Sequence, residues 1–134
     1  MFSNLYQKPI KINILGQERE VKFDGRNIAA AEDKFGKNLT DLLPFWFSNS
    51  HTGRIQMIWA TTLEFEPYTD EQPWKIKSEV PMEDLWKMQI GDIIELGKQC
   101  TNGIIKSLPQ EEDVKKEERG VLKTIIRTLE NLTK

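Results

Sequence analysis

Very little sulfur or imidazole is available to this chain: Cys100 is its single cysteine and His51 its single histidine. One cysteine closes no internal disulfide, which suits a reducing compartment and makes the cytoplasm the expected address. His51 has no second histidine or cysteine near it in sequence, so the nitrogen and sulfur set that zinc prefers is missing. It precedes a helical pattern, where a surface or capping role is expected. Cys100 lies on the apolar face of another helical pattern and reads as a buried, inert thiol with no activating histidine beside it. An excess of one charge is also lacking. The 19 basic and 21 acidic residues leave a net charge of −2, so the basic face expected of a nucleic-acid binder is missing. No apolar run approaches the roughly 20 residues that span a bilayer. The opening Met-Phe-Ser-Asn-Leu-Tyr-Gln-Lys has neither the basic region nor the apolar stretch of a secretory signal. Phosphate loops are absent too, since neither Asp24-Gly-Arg-Asn27 nor Thr101-Asn-Gly-Ile104 has the required glycine spacing.

Carboxylates are plentiful instead, among them Glu32, Asp33, Asp41, Glu64, Glu66, Asp70, Glu71, Glu83, Asp84, Asp92 and Glu95. Most fall at helix starts or on polar faces, where the helix dipole and solvation account for them. Without geometry, pairs drawn from such a set carry no catalytic signal. With 38% apolar and 30% charged residues, the composition describes one soluble domain with a modest core and an ionic surface. A folded chain of this length buries about 70% of the surface that its unfolded form exposes.

The positive signals begin with a period-two pattern. Ile10, Ile12 and Ile14 alternate with Lys11 and Asn13, and Val21 and Phe23 alternate with Glu20 and Lys22. Gly16-Gln17 fits a two-residue turn with glycine at its first central position, where φ is positive. That turn pairs Ile12 with Val21, Ile10 with Phe23 and Ile14 with Arg19. A lone hairpin is marginal in water, so its apolar face requires a cover. The cover follows at once: Asp24 can cap a helix, the alanines at 29 to 31 favour it, and Gly36 can end it in a left-handed conformation.

The run Val-Lys-Phe-Asp-Gly-Arg-Asn-Ile-Ala-Ala-Ala-Glu-Asp-Lys-Phe-Gly-Lys-Asn-Leu-Thr-Asp-Leu-Leu, residues 21 to 43, resembles the opening of phage tail assembly chaperones. In that family a hairpin leads to a Phe-Asp pair, a helix with an acidic patch, a Gly-Lys turn and a Thr-x-Leu-Leu-like start. The likeness covers residues 10 to 43 and continues over residues 50 to 108 as a similar order of helices. It implies a protein of a long-tailed phage or prophage that associates with the tape measure protein and keeps its apolar helical segments soluble. It further implies help in delivering tail tube subunits, action in the host cytoplasm, and absence from the finished virion.

Further helical patterns follow. Residues 39 to 47 carry Leu39, Leu42, Leu43, Phe45, Trp46 and Phe47, with Pro44 breaking or restarting the turn. Ser48-Asn-Ser50 reads as a loop supplying a cap. From Arg54 to Phe65, Ile55, Ile58, Trp59, Thr62 and Leu63 share one helical face. Residues 66 to 80 hold Pro67 and Pro73 and read as a long loop tacked down by Tyr68 and Trp74. Pro81 suits the first turn of a helix reaching about Gln89, with Glu83 and Asp84 at its positive end and Leu85, Trp86 and Met82 buried. Asp92-Ile-Ile-Glu95 resembles a capping box, followed by Ile93, Leu96, Cys100, Ile104 and Leu108 at helical spacing. Gly97 and Gly103 inside that helix cost about 1 kcal/mol each against Ala, which close packing, or a bend at Gly103, would explain. Pro109 stops it. The run Gln110 to Arg119 has one apolar residue in ten, so it is a linker or a solvated helix. Beyond Gly120, Val121, Leu122, Ile125, Ile126, Leu129 and Leu132 form an apolar stripe of about three turns that needs a partner surface.

Two places therefore offer apolar surface to another macromolecule. Phe45, Trp46 and Phe47 are either an exposed anchor or, with Trp59 and Trp86 facing inward, side chains that cover loops; three consecutive aromatics cannot all face one side of a helix, so at least one is expected to be partly exposed. Leu122, Ile125, Ile126 and Leu129 either present themselves to a groove on another molecule, pair with a second copy, or fold back on the body. The expected fold is α+β and mainly helical. An N-terminal β-hairpin packs on about four helices within residues 1–108, a charged linker occupies 109–120, and a C-terminal amphipathic helix 121–134. The expected function is that of a tail assembly chaperone binding the tape measure protein and helping recruit tail tube subunits. No catalysis, cofactor, metal, nucleic acid or membrane is expected. The alternatives are a head–tail connector or tail terminator that stays in the particle, a small enzyme with a dispersed site, and a bacterial adaptor unrelated to phage.

Overall fold

The alternating isoleucines do form a hairpin. A computed structural model describes residues 10–108 and places β1 at Ile10–Ile14 and β2 at Gln17–Val21. The linker and amphipathic helix expected over 109–134 lie outside the described residues. Pairing runs Ile10 to Val21, Ile12 to Arg19 and Ile14 to Gln17, two residues away from the expected register. The turn is centred on Leu15-Gly16, with φ of 54° and 81°. Positive φ at both central positions gives the mirror-image turn whose twist matches paired strands. Asn13 Oδ1 accepts from the Gly16 N–H at 3.1 Å and supports it. A slip of two residues leaves every side chain on its intended face, so Ile12, Ile14 and Val21 are still buried.

Helix α1, Gly25–Phe35, begins and ends where the sequence indicates. The Asp24 side chain accepts from the N–H groups of Arg26 and Asn27, Asn27 Oδ1 accepts from the Asp24 N–H, and Gly36 closes the helix at φ 66°. Helix α2, Leu39–Trp46, runs through Pro44 rather than breaking at it. The donor that proline removes would have met the carbonyl of Thr40, an exposed residue that water can serve.

Helix α3, His51–Thr61, is the centre of the molecule: α1, α2, α4 (Met82–Lys87) and α5 (Ile90–Ser107) all pack on it. Its buried residues, Gly53, Ile55, Met57, Ile58, Trp59, Ala60 and Thr61, therefore surround the helix instead of marking one face. Ser50 caps it, its Oγ accepting from the Gly53 N–H at 3.2 Å. A Cβ on Gly53 would run into the Phe45 carbonyl, so this glycine permits the close approach of α2. The last carbonyls of a helix lack partners within it. Here distant donors supply them. Asn27 Nδ2 donates to the Ala60 carbonyl at 2.8 Å, the Lys22 N–H to that of Thr61 at 2.8 Å, and Arg19 Nη1 to that of Thr62 at 3.2 Å.

Residues 66 to 80 are not simply a loop. Strands β3, Glu64–Phe65, and β4, Ile76–Ser78, form a second antiparallel hairpin with an irregularity between Glu64 and Phe65. The Glu66 N–H continues the ladder by donating to Lys75 O at 2.9 Å. Arg19 Nη2 donates to Ser78 Oγ at 2.9 Å and ties the two hairpins together. Trp74 packs on the core as expected, but Tyr68 is 65% exposed and tacks nothing down.

In α4, Leu85 is buried, whereas Trp86 is 49% exposed and corrects the expectation that it faces inward. Helix α5 begins at Ile90 behind Gln89, which makes no side-chain cap. Asp92 thus lies inside the first turn and the expected capping box does not form. Its face of Ile93, Leu96, Cys100 and Ile104 is buried against α3 and the first hairpin. A Cβ on Gly103 would overlap the Val21 side chain, so close packing of that hairpin is what this glycine serves. The architecture is α+β and mainly helical, an N-terminal hairpin packed with five helices among the described residues, as expected.

Candidate interaction surface

The aromatic triplet is not the surface it could have been. Trp46 is 1% and Phe47 2% exposed, both in the core, and Phe45 is half-buried with Lys37 Nζ 5.9 Å from its ring centroid. The exposed-anchor expectation is therefore corrected for Trp46 and Phe47. The Trp46 ring meets Phe23 edge-to-face at 6.2 Å and its Nε1 donates to Gln56 Oε1 at 3.2 Å, which gives the indole N–H the partner that burial demands. Leu122, Ile125, Ile126 and Leu129 lie outside the described residues.

Apolar exposure is found elsewhere. Ile90 is 67%, Ile105 44% and Leu15 56% exposed. Leu15 sits at the hairpin tip and borders a hollow lined by Asp84, Lys87 and Met88 of the α4 region. Trp86 lies on another side of α4, its ring edge-on to His51 at 5.8 Å. His51, the first residue of α3, is thus a half-buried ring contact at a helix start.

The larger feature runs along α5. At 100° per residue, Ile90, Ile94, Gly97, Thr101 and Ile105 fall within an arc of about 80°, next to the face turned to the core. Ile94 and Thr101 are half-buried, and the two exposed isoleucines stand at the ends of the stripe. Between α5 and the α2–α3 corner lies a groove of about 220 Å³. Trp46, Phe47, Met57 and Gly97 line its inner part, and Asn49, Arg54, Lys98 and Asn102 bring polar groups to it. The Arg54 methylenes lie across Gly97, 3.3 Å from where a Cβ would stand, and its guanidinium donates to Asn49 O at 3.1 Å and to Asn49 Oδ1 at 3.2 Å. The hollow is small and its apolar walls are buried core side chains, so it has room for a side chain of a partner lying along the α5 stripe, with the polar groups at its rim left wet.

This stripe was hidden in the sequence by the placing of the helix start. With the helix opened at Asp92, Ile90 falls outside the wheel and only the core face stands out; opened at Ile90, the second stripe is visible.

Titratable chemistry offers less. Cys100 is fully buried, and desolvation pushes its thiol up to about 12 from an ordinary 9.0, the hydrogen bond with Thr61 opposing this in part. Thiol reagents are expected to leave native Cys100 unmodified at pH 8 and to react on unfolding, as a colorimetric thiol assay with and without denaturant would register. Because the folded value is the higher one, the stability linked to this group is complete below pH 9. It is lost as pH rises from there towards 12, when only the unfolded thiol ionises freely. Among the described residues no group of three or more His, Cys, Asp or Glu side chains converges as a metal site, and no helix is long and apolar enough to cross a membrane. Comparison with protein-family models, curated proteins and solved structures finds no match to this chain.

Proposed function

We propose that this chain is a binding protein with no chemistry of its own, which covers apolar helical segments of another protein during assembly. The observation that carries this reading is the α5 stripe, where Ile90 and Ile105 are exposed at its two ends and Ile94, Gly97 and Thr101 between them border a hollow against the α2–α3 corner. A partner with repeated apolar stripes aggregates unless another apolar surface masks them. The resemblance of residues 21 to 43 supplies the specific form of the reading. The chain acts as a tail assembly chaperone of a long-tailed phage or prophage, works in the host cytoplasm, binds the tape measure protein and helps recruit tail tube subunits.

Co-expression with a tape measure protein tests it. The wild-type chain is expected to raise the soluble fraction of the partner and to co-purify with it. Ile90→Ala combined with Ile105→Ala is expected to weaken binding about tenfold or more, since truncating large apolar side chains buried by a partner costs roughly 1 kcal/mol or more each. Binding untouched by this pair would overturn the placement of the site. Recovery of the chain as a ring in purified virions would favour a connector or terminator instead, and turnover of a small molecule by the purified chain would remove the non-enzymatic reading.

A further inference from the structure

We infer that the outer edge of β1 is a self-association surface, on which a second copy of this chain lays its own β1 antiparallel across a twofold axis at Ile12. The contact uses main-chain groups of the first hairpin and none of the α5 stripe, so it goes beyond the proposed function and does not depend on it.

A two-residue turn at Leu15-Gly16 makes Ile14 and Gln17 a hydrogen-bonded pair. Antiparallel pairs then alternate, so Ile10, Ile12 and Ile14 direct their N–H and C=O groups at β2. Those of Lys11 and Asn13 point the other way. The same alternation turns the Lys22 N–H away from β1, and there it meets the Thr61 carbonyl at 2.8 Å. The β2 edge is thus tied to the end of α3. On the β1 edge, no described residue forms a hydrogen bond with the main chain of Lys11 or Asn13, and among the described residues the sheet stops at two strands.

Open edges are usually blunted by a proline, a bulge or an outward charge. Strand β1 contains no proline, and no bulge interrupts its pairing. Its one charge, Lys11, reaches back across the hairpin to Glu18, with Nζ 3.5 Å from Oε1, and so leans away from the open side.

The strand also suits a copy of itself. Ile10-Lys-Ile-Asn-Ile14 has the same apolar and polar alternation in both directions about Ile12. A twofold axis at Ile12 sets Lys11 opposite Asn13 of the second copy. Each of the two such pairs exchanges two main-chain hydrogen bonds. Ile10, half-buried in one chain, then stands beside Ile14 of the other on the same face. Moving the axis to Lys11 sets two lysines directly opposite each other, which is unfavourable, and moving it to Asn13 runs Lys11 into the turn at Leu15. Five residues a side make a small contact beside the ~1,200–2,000 Å² of durable interfaces. The pair is therefore weak, with an expected dissociation constant on the order of 100 μM.

Sedimentation velocity of the full chain over a concentration series tests this, together with amide hydrogen exchange. Dimer is expected to accumulate, and exchange at Lys11 and Asn13 to slow severalfold with it, while Ile12, already bonded within the hairpin, changes little. Lys11→Pro removes an outward N–H and leaves the ladder to β2 intact. It is expected to weaken the dimer about tenfold or more, whereas Lys11→Ala, which keeps the N–H, retains it. Asn13→Asp keeps an acceptor for the Gly16 N–H and places a carboxylate opposite Lys11 of the second copy, so the dimer is expected to tighten about threefold at low salt. That gain decides the matter even where the proline variant fails to fold. A chain that stays monomeric up to about 1 mM would overturn the inference, as would a dimer that Lys11→Pro or Asn13→Asp leaves unchanged. Protection of the two amides that appears only on adding another protein would overturn it too, because the occupant would then be a strand of that partner.

Discussion

Trp46→Ala is expected to lower the stability of the fold by about 3–5 kcal/mol, the usual range for removing a large buried aromatic. The Trp46 ring is 1% exposed, packs edge-to-face on Phe23 and closes the gap between α2 and α3. Removing it opens a cavity at the base of the α5 groove and leaves Gln56 Oε1 without its donor. Against a typical total of about 5–15 kcal/mol, such a loss shifts the urea midpoint strongly. Trp86→Ala is the contrast. That ring is 49% exposed and its recorded aromatic contact is with His51, so the expected loss is below about 1 kcal/mol. Equilibrium denaturation of the two variants separates a core tryptophan from a surface one. Equal and small effects would mean that Trp46 is not packed as described.

Asn27→Ala is expected to cost about 2–4 kcal/mol, through two groups left without partners. Asn27 is fully buried, and its Nδ2 donates to the Ala60 carbonyl at 2.8 Å while its Oδ1 accepts from the Asp24 N–H at 3.1 Å. One side chain thereby closes the start of α1 and the end of α3. Asn27→Asp separates the two bonds. The carboxylate still accepts from Asp24 but cannot donate to Ala60, and as an anion it faces a carbonyl oxygen. Its destabilisation is expected to grow as pH rises through the carboxylate range and to ease in acid, where the protonated group donates again. Thermal denaturation at several pH values measures this. A pH-independent loss would show that the Ala60 bond contributes nothing.

Local chemistry made parts of this protein legible. Asp24 at a helix start, Gly36 at its end, and Ser50 before α3 were readable because each acts on backbone groups within a few residues. The hairpin was readable in its faces but not its register. Leu15 is a poor residue for positive φ, and nothing local announces that Leu15-Gly16, rather than Gly16-Gln17, forms the turn. The Asp92 capping box failed for a related reason: the chain enters α5 through Gln89 without a side-chain cap, so the better-looking residue lies one turn inside. The second hairpin was missed because β3 and β4 are only two and three residues long and lie either side of a proline-containing segment.

Burial is where sequence reading went furthest astray, and the candidate site moved with it. The aromatic triplet at 45 to 47 looked half-exposed because one helix cannot turn three consecutive rings inward. It is covered because Phe47 follows the last residue of α2 and α3 turns back against that corner, with Gly53 admitting the Phe45 carbonyl. Trp86, read as core, is exposed because Leu85 takes the inward position on a helix of six residues.

The sequence alone determined the class of fold, the hairpin's apolar face, the first helix with both its ends, and the buried stripe of α5. Each follows from the period of apolar residues or from a cap that acts within one turn. Only the tertiary structure decided that α3 is enclosed by α1, α2, α4 and α5, that Asn27, Lys22 and Arg19 complete its C-terminus, and that Ile90 and Ile105 are left uncovered. Most of those outcomes depend on which donors and which surfaces meet across distances well beyond one helical turn along the chain, and helical or strand periodicity carries no record of such meetings.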